Sequence, residues 1–196
     1  MDTIYKLLKN NKKWADYCVS QDPAMFENLS QGQSPSLAMI TCVDSRVAPE
    51  TILGMELGEA LVYRNVANQT HKESVEAFVY FAVNAMKVKG IVVCGHTQCG
   101  GVKYAISNPL ENQPLDQYLE PLSQYYKNEC QHLHSLEERQ QAFGFAKLNV
   151  LKQVKLVENF DCIKQAHQKS CAPVVLPLLF HLETGLVEDL SETPSS

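Results

Sequence analysis

Two short stretches of the 196-residue chain concentrate side chains that bind metals and steer protons. The first is Cys42-Val43-Asp44-Ser45-Arg46-Val47, and the second is Gly95-His96-Thr97-Gln98-Cys99-Gly100-Gly101. Zinc prefers thiolate sulfur and imidazole nitrogen, and its catalytic sites use three protein ligands and keep a fourth position open. Cys42, His96 and Cys99 would supply a Cys2His set, with His96 and Cys99 held in one tight turn or first helical turn. Asp44 and Arg46 lie two apart in an extended segment and so project to the same side of the chain. A guanidinium in that place keeps a carboxylate ionised and orients it through a bidentate pair. Gly100 and Gly101 remove side chains where backbone must come close to a metal or substrate. Taken singly, Cys-x-Asp reads as a satisfied turn and His-x-x-Cys as buried core. A Gly-rich turn after a strand also suits a phosphate at a helix N-terminus. Here no Gly-Lys-Ser/Thr follows and Gly-x-Gly-x-x-Gly is absent. Both cysteine motifs at matching strand ends favour the metal.

The elements that must position these residues follow from hydrophobic spacing. Leu37–Thr41, Ala60–Arg64 and Gly90–Cys94 are short apolar runs bounded by turn residues and read as buried strands. Between the last two, Val75, Phe78, Val79, Ala82, Val83 and Met86 fall on one helical face within 74–87, with Gly90 at the stop position. A second long helix is predicted over 140–160, on Phe143, Ala146, Val150, Val154 and Val157, followed by an apolar strand over 172–180. Residues 108–134 are polar and aromatic with three prolines, which predicts irregular helices. Ile4, Leu7, Leu8, Trp14, Ala15 and Cys18 predict an N-terminal helical arm over 1–30, ahead of a core over 37–185 in a single domain. Strands alternating with helices imply right-handed crossovers and a central, mostly parallel sheet flanked by helices. The class is α/β, and sites in such sheets form at the carboxyl ends of the strands.

Composition narrows the functions available. The net charge of −5 and the absence of a basic stripe argue against a nucleic-acid partner. No apolar run of seven or more follows the lysines of residues 1–18, so no secretory signal peptide is expected, and the apolar stretch 172–182 is about half a membrane span and broken by Pro173 and Pro177. A cytoplasmic protein with no membrane partner is expected. Seven cysteines in a chain with its own core do not read as a disulfide framework. Cys94 sits inside an apolar strand and reads as core, while Cys18, Cys130, Cys162 and Cys171 have no ligand-like neighbours. His71, His132 and His134 are proton-shuttle candidates, His71 the better placed.

Cys42-Val-Asp-Ser-Arg46, Arg64-Asn-Val-Ala-Asn68 and Gly95-His-Thr-Gln-Cys-Gly-Gly101 resemble, in order and spacing, the three signature segments of the β-class carbonic anhydrases, over about residues 14–185. The resemblance implies one zinc per subunit on Cys42, His96 and Cys99, and an Asp–Arg pair in Asp44 and Arg46. It implies reversible hydration of carbon dioxide to bicarbonate and a proton by attack of zinc-bound hydroxide. Gln33, nine residues before Cys42, stands where the family places a pocket glutamine. Leu61, Val66, Phe81, Gly100 and Gly101 are the remaining candidates for the substrate pocket. The family also has a closed arrangement in which the aspartate, here Asp44, becomes the fourth zinc ligand. Its members assemble as homodimers or dimers of dimers.

The chain departs from parts of that pattern. Met39 and Phe180 stand where some bacterial relatives use Trp and Tyr to bind regulatory bicarbonate, although Arg64 of that pattern is retained, so that inhibition is expected to be weak or absent. Leu176-Pro-Leu178 replaces the family's Gly-Trp segment before the last strand. Two other readings stand beside CO2 hydration. One is hydrolysis of carbonyl sulfide or carbon disulfide on the same scaffold. The other, of a different class, is a non-catalytic zinc-binding or thiol redox module, which would leave Asp44 and Arg46 without a task.

Overall fold

Residues 2–107 and 113–191 are described by a computed structural model. Contacts divide the chain into two compact units, Met1–Ser34 and Pro35–Ser196. The first holds helices α1 (Asp2–Gln21) and α2 (Met25–Ser30), joined by an edge-to-face contact of Trp14 on Phe26 at 5.7 Å. Ile4, Tyr5, Leu7, Leu8 and Tyr17 of α1 are exposed.

In the second unit the apolar runs form one sheet. β1 (Leu37–Cys42), β2 (Ala60–Asn65), β3 (Gly90–His96) and β4 (Val174–Phe180) are parallel, and β5 (Val187–Asp189) returns antiparallel to β4. The strand order is β2-β1-β3-β4-β5. The order reverses between β1 and β3, the crevice where open α/β sheets bind ligands. Register puts Cys42 beside Asn65, Thr41 beside Cys94, and His96 beside Phe180. β3 is buried along its whole length, as a central parallel strand covered on both faces must be.

The helices are α3 (Pro49–Ile52), α4 (Glu73–Tyr80), α5 (Gly100–Ser107), α6 (Pro114–Glu129), α7 (Glu138–Glu158) and α8 (Asp161–Gln168). The larger core joins Ile40, Ile91, Val93, Val102, Leu122, Phe145, Val150 and Leu179. The smaller one groups Met39, Val47, Val92, Cys94 and Phe180.

Four sequence expectations change. The helix predicted over 74–87 ends at Tyr80 and continues as a π-turn, Phe81–Ala85. Its stop is Lys87, in the left-handed region at φ 54°, and not Gly90. Gly90 instead opens β3, where a Cβ would stand 2.8 Å from Leu37 Cδ2. The segment predicted to be irregular contains α6, a regular helix, while its residues 108–112 lie outside the described ones. Pro114 occupies the first turn, where its missing N–H costs nothing, and a Gln113–Asp116 capping box starts the helix. Leu115, Tyr118, Leu119, Leu122, Tyr125 and Tyr126 then form an inward stripe strong enough to carry the exposed Pro121. Strands β1, β2 and β3 run one or two residues past their predicted ends, so Cys42 and His96 are the last residues of β1 and β3, while β4 starts two residues later than predicted.

Candidate metal centre

The ends of β1 and β3 bring three ligand atoms together. One atom each from Cys42, His96 and Cys99 lies within 4.8 Å of the others, and all three residues are buried. The two sulfurs are 3.9 Å apart. Two thiolates at 2.3 Å from a tetrahedral zinc would be about 3.8 Å apart, so the spacing suits that ion. His96 Nδ1–H donates to the Thr97 carbonyl at 2.8 Å, which leaves Nε2 as the lone-pair nitrogen. Nε2 is buried with no hydrogen-bond partner among the described residues. Such an atom is costly to bury unless something binds it. The donor set, the sulfur spacing and the orphaned nitrogen all fit zinc.

The thiols are unequal before any metal arrives. Cys99 donates its S–H to Cys42, and against the opposing effect of burial His96 and the N–H groups of Asp44 and Ala67 add to it, drawing Cys42 down to about 4. Cys99, which gives that bond and is buried, is pushed well above its ordinary value. Both sulfurs must be thiolates to hold zinc, so metal binding releases protons.

Just past β1, Asp44 accepts from Arg46 Nε at 2.9 Å and Nη2 at 2.7 Å, one bond to each carboxylate oxygen, and from the Arg46 N–H at 2.9 Å. This fork holds the Asp44 carboxyl far below the usual carboxylate range. Asp44 Oδ2 lies 3.8 Å from His96 Nε2, so an acceptor-only oxygen looks onto the ligand cluster.

The remaining candidates are dispersed. Gly101 has a packing reason for being glycine, because a Cβ there would meet Val66 Cγ1 at 2.8 Å and Ala67 Cβ at 3.0 Å. Gly100 opens α5 and faces free space. Val66 packs on the large core beside Gly101. Leu61 pairs with Ala38, four residues before the Cys42 level, or about 13 Å along the strand. Phe81 is exposed at the start of the π-turn, and Gln33 is exposed in the N-terminal unit. Within one chain Leu61 therefore stands away from the level of the ligands. Among the histidines, His132 and His134 are exposed, and His71 is half-buried with its ring 5.6 Å from that of Tyr118. Cys94 is buried in β3, where burial raises its thiol to about 12, the mark of an inert core residue. Met39 and Phe180 are buried in the smaller core.

Sequence reasoning missed the residues that hold the two ligand-bearing ends. Arg64, which opens the Arg64-Asn-Val-Ala-Asn68 segment without a role read from it, donates through Nε to the Cys42 carbonyl at 3.0 Å. Its Nη2 reaches the carbonyls of Asp44 at 2.8 Å and Val47 at 2.7 Å. Glu183 accepts from Thr97 Oγ1 at 2.7 Å and Gln98 Nε2 at 3.1 Å, and Thr97 Oγ1 accepts the Leu182 N–H at 3.0 Å. Gln98 sits at φ 59°, a left-handed conformation that costs a non-glycine residue about 1–2 kcal/mol and that these bonds maintain. The Arg64-Asn-Val-Ala-Asn68 motif was the only signal for the first clamp, and nothing local marked Glu183.

Residues 37–187 match the family described as "Carbonic anhydrase". A carbonic anhydrase of Emericella nidulans is 34% identical over 95% of this chain and 82% of its own length. One from Saccharomyces cerevisiae is 33% identical over 96% of this chain and 89% of its own. Among solved structures, a tetrameric β-carbonic anhydrase of Sordaria macrospora superposes with a TM-score of 0.92 at 34% identity, covering 97% of this chain and 98% of that one. The β-carbonic anhydrase CafA of Aspergillus fumigatus gives 0.88 at 33% identity, over 96% and 91%. The cluster at the β1/β3 switch point and these likenesses converge: the chain belongs to the β-carbonic anhydrases and is a carbonic anhydrase enzyme.

Proposed function

We propose that the chain binds one zinc ion per subunit on Cys42, His96 and Cys99 and hydrates carbon dioxide reversibly to bicarbonate and a proton. The observation that carries the reading is the buried Cys2His trio with the ionised Asp44–Arg46 pair beside it, at the point where the strand order reverses. Zinc in a three-ligand site acidifies water, bringing its pKa from 15.7 to about 7 and so supplying a nucleophile near neutral pH.

The chain's residues orient that reaction. Asp44 is an acceptor only, so it selects a nucleophilic oxygen that still carries a hydrogen and turns that oxygen's lone pair toward the CO2 carbon. Arg46 keeps Asp44 ionised and points both of its oxygens. An Asp44 carboxylate engaged on both oxygens by Arg46 supports the open arrangement, in which it is not the fourth ligand. Gln33 donates an amide N–H to a substrate oxygen, and Val66, Leu61 and Phe81, with the room left at Gly100 and the close packing that Gly101 permits, provide apolar walls for a small uncharged gas. Because Leu61 lies about 13 Å along its strand from the Cys42 level, its part in the pocket is played toward a second copy. The exposed apolar residues of α1 and the tetrameric relatives from Sordaria macrospora support a homodimer or dimer of dimers. No helix among the described residues is long and apolar enough to cross a membrane. A reducing cytoplasm suits a site that needs two thiolates.

Stopped-flow CO2 hydration at pH 8.5 on zinc-loaded protein, beside a carbonyl sulfide assay, tests the reading. Hydration that Cys42→Ser abolishes supports it. A zinc-loaded parent that leaves CO2 untouched overturns it, and turnover of carbonyl sulfide alone would reassign the substrate.

A further inference from the structure

Helix α7 buries two amides where apolar side chains would pack more cheaply. Asn149 and Gln153, one turn apart, are 1% and 2% exposed. Buried amides destabilise unless each donor and acceptor is matched, and these are joined in a closed network. Gln153 Nε2 donates to Asn149 Oδ1 at 3.0 Å and to Gln69 Oε1 at 3.3 Å, and Gln69 Nε2 donates to Asn149 Oδ1 at 3.0 Å. Gln153 Oε1 accepts both the N–H and the Oγ1–H of Thr70. Asn65 brackets Gln69 from the strand side with two bonds of 2.7 Å.

The network converges on one atom. The Ala67 carbonyl accepts from Asn149 Nδ2 at 3.0 Å and from Gln69 Nε2 at 2.7 Å. Ala67 and Asn68 are consecutive left-handed residues, at φ 58° and 47°, and neither is glycine. Backbone in that state persists only where its surroundings over-determine it, and such residues gather at functional sites. The opposite side of the same residue faces the ligands. Val66 and Ala67 close on Gly101, two residues past Cys99, where a Cβ would meet Val66 Cγ1 at 2.8 Å and Ala67 Cβ at 3.0 Å.

We propose that Asn149 and Gln69, braced by Gln153, are positioning residues of the metal centre: they lock Ala67 in the left-handed conformation that packs Val66 and Ala67 against Gly101 and so set the turn that carries Cys99. The proposal rests on the zinc reading above. Groups outside the ligand set that fix a ligand's orientation govern metal affinity about 10–100-fold.

The test compares the parent with Asn149→Ala, Gln69→Met and Val157→Ala, each loaded separately with Zn2+ and Co2+. Val157 is a fully buried α7 residue outside the network, so its truncation reports packing loss alone. Asn149→Ala and Gln69→Met are expected to shift the thiolate-to-cobalt charge-transfer band and to release zinc to a chelator about 10-fold faster than the parent. Val157→Ala is expected to lower the melting temperature while leaving band and release rate unchanged. Gln69→Met keeps the side-chain length and carries the test if Asn149→Ala does not fold. Network variants that melt early yet match the parent in both spectrum and release rate would overturn the proposal. A parent that takes up neither metal would instead overturn the zinc reading itself.

Discussion

The two strand ends that meet at the metal centre are held by different chemistry. At the end of β1, a cation does the holding: Arg64 gathers the carbonyls of Cys42, Asp44 and Val47, while Arg46 forks onto Asp44. At the end of β3, hydroxyl, amide and carboxylate do it: Glu183 takes Thr97 and Gln98, and the Thr97 N–H donates to the Phe180 carbonyl at 2.9 Å. The β1 end carries a group that must stay charged and aimed, so it is built from guanidinium forks, which do not lose their proton. The β3 end carries two ligands in a four-residue turn, so it needs only a fixed backbone.

Disabling either end at its ligand should erase the comparison altogether. Cys42→Ser and Cys99→Ser each are expected to lose bound zinc and CO2 hydration together, a fall of 1,000-fold or about that order. Metal content by mass spectrometry and stopped-flow rates check this, and retained zinc in either variant would break the ligand assignment. Asp44→Ala comes next. It should keep zinc and lose at least about 100-fold in kcat, because only the aim of the nucleophile is lost.

The clamps themselves separate the two ends further. Arg64→Lys removes a planar fork that one ammonium cannot replace, and zinc release should quicken by about 10-fold. Glu183→Gln keeps the shape of its clamp, and its effect should be smaller and confined to acid. Thr97 and Gln98 lower the Glu183 carboxyl to about 2. Its contribution is therefore fully present above the unfolded value near 4.5 and is lost as pH falls through about 2. Melting temperatures followed from pH 5 down to 2 should decline less steeply in Glu183→Gln than in the parent; identical slopes would show that this clamp does not contribute. The smallest expected effect is that of bicarbonate as a regulator. With Met39 and Phe180 buried in an apolar cluster and three Arg64 bonds committed to carbonyls, steep cooperative inhibition should not occur. Its appearance would mean that Arg64 lets go of the β1 end.

The sequence made some of this visible and hid the rest for physical reasons. Strands β1 and β3 were visible because buried parallel strands read as unbroken apolar runs, and the partly buried β2 and β4 because their apolar runs are bounded by turn residues. Cys42, His96 and Cys99 stood out because thiol and imidazole at such spacing have few other uses, and Asp44–Arg46 because the pair is local. Glu183 was invisible: it acts on Thr97 across 86 positions, through a turn that only the β4–β5 pairing brings back. Val187–Asp189 is too short to announce itself as a strand. Left-handed Ala67 and Asn68 carry no glycine to mark them, since amides on α7 rather than local propensity enforce the conformation. The π-turn at Phe81–Ala85 keeps Val75, Val79 and Ala82 buried, so the apolar spacing looked like one continuous helix. Pro121 suggested irregularity in α6 because a proline's local cost was weighed without the stripe opposing it.

In the proposed site the metal would be held by two sulfurs and one nitrogen, with Asp44 beside it and not on it. X-ray absorption at the zinc edge, on the parent and on Asp44→Ala, measures that shell directly. The account predicts two sulfurs at about 2.3 Å and two lighter neighbours at about 2.0–2.1 Å, unchanged by the substitution. A shell of three or four sulfurs, or one that loses a light neighbour in Asp44→Ala, would contradict it.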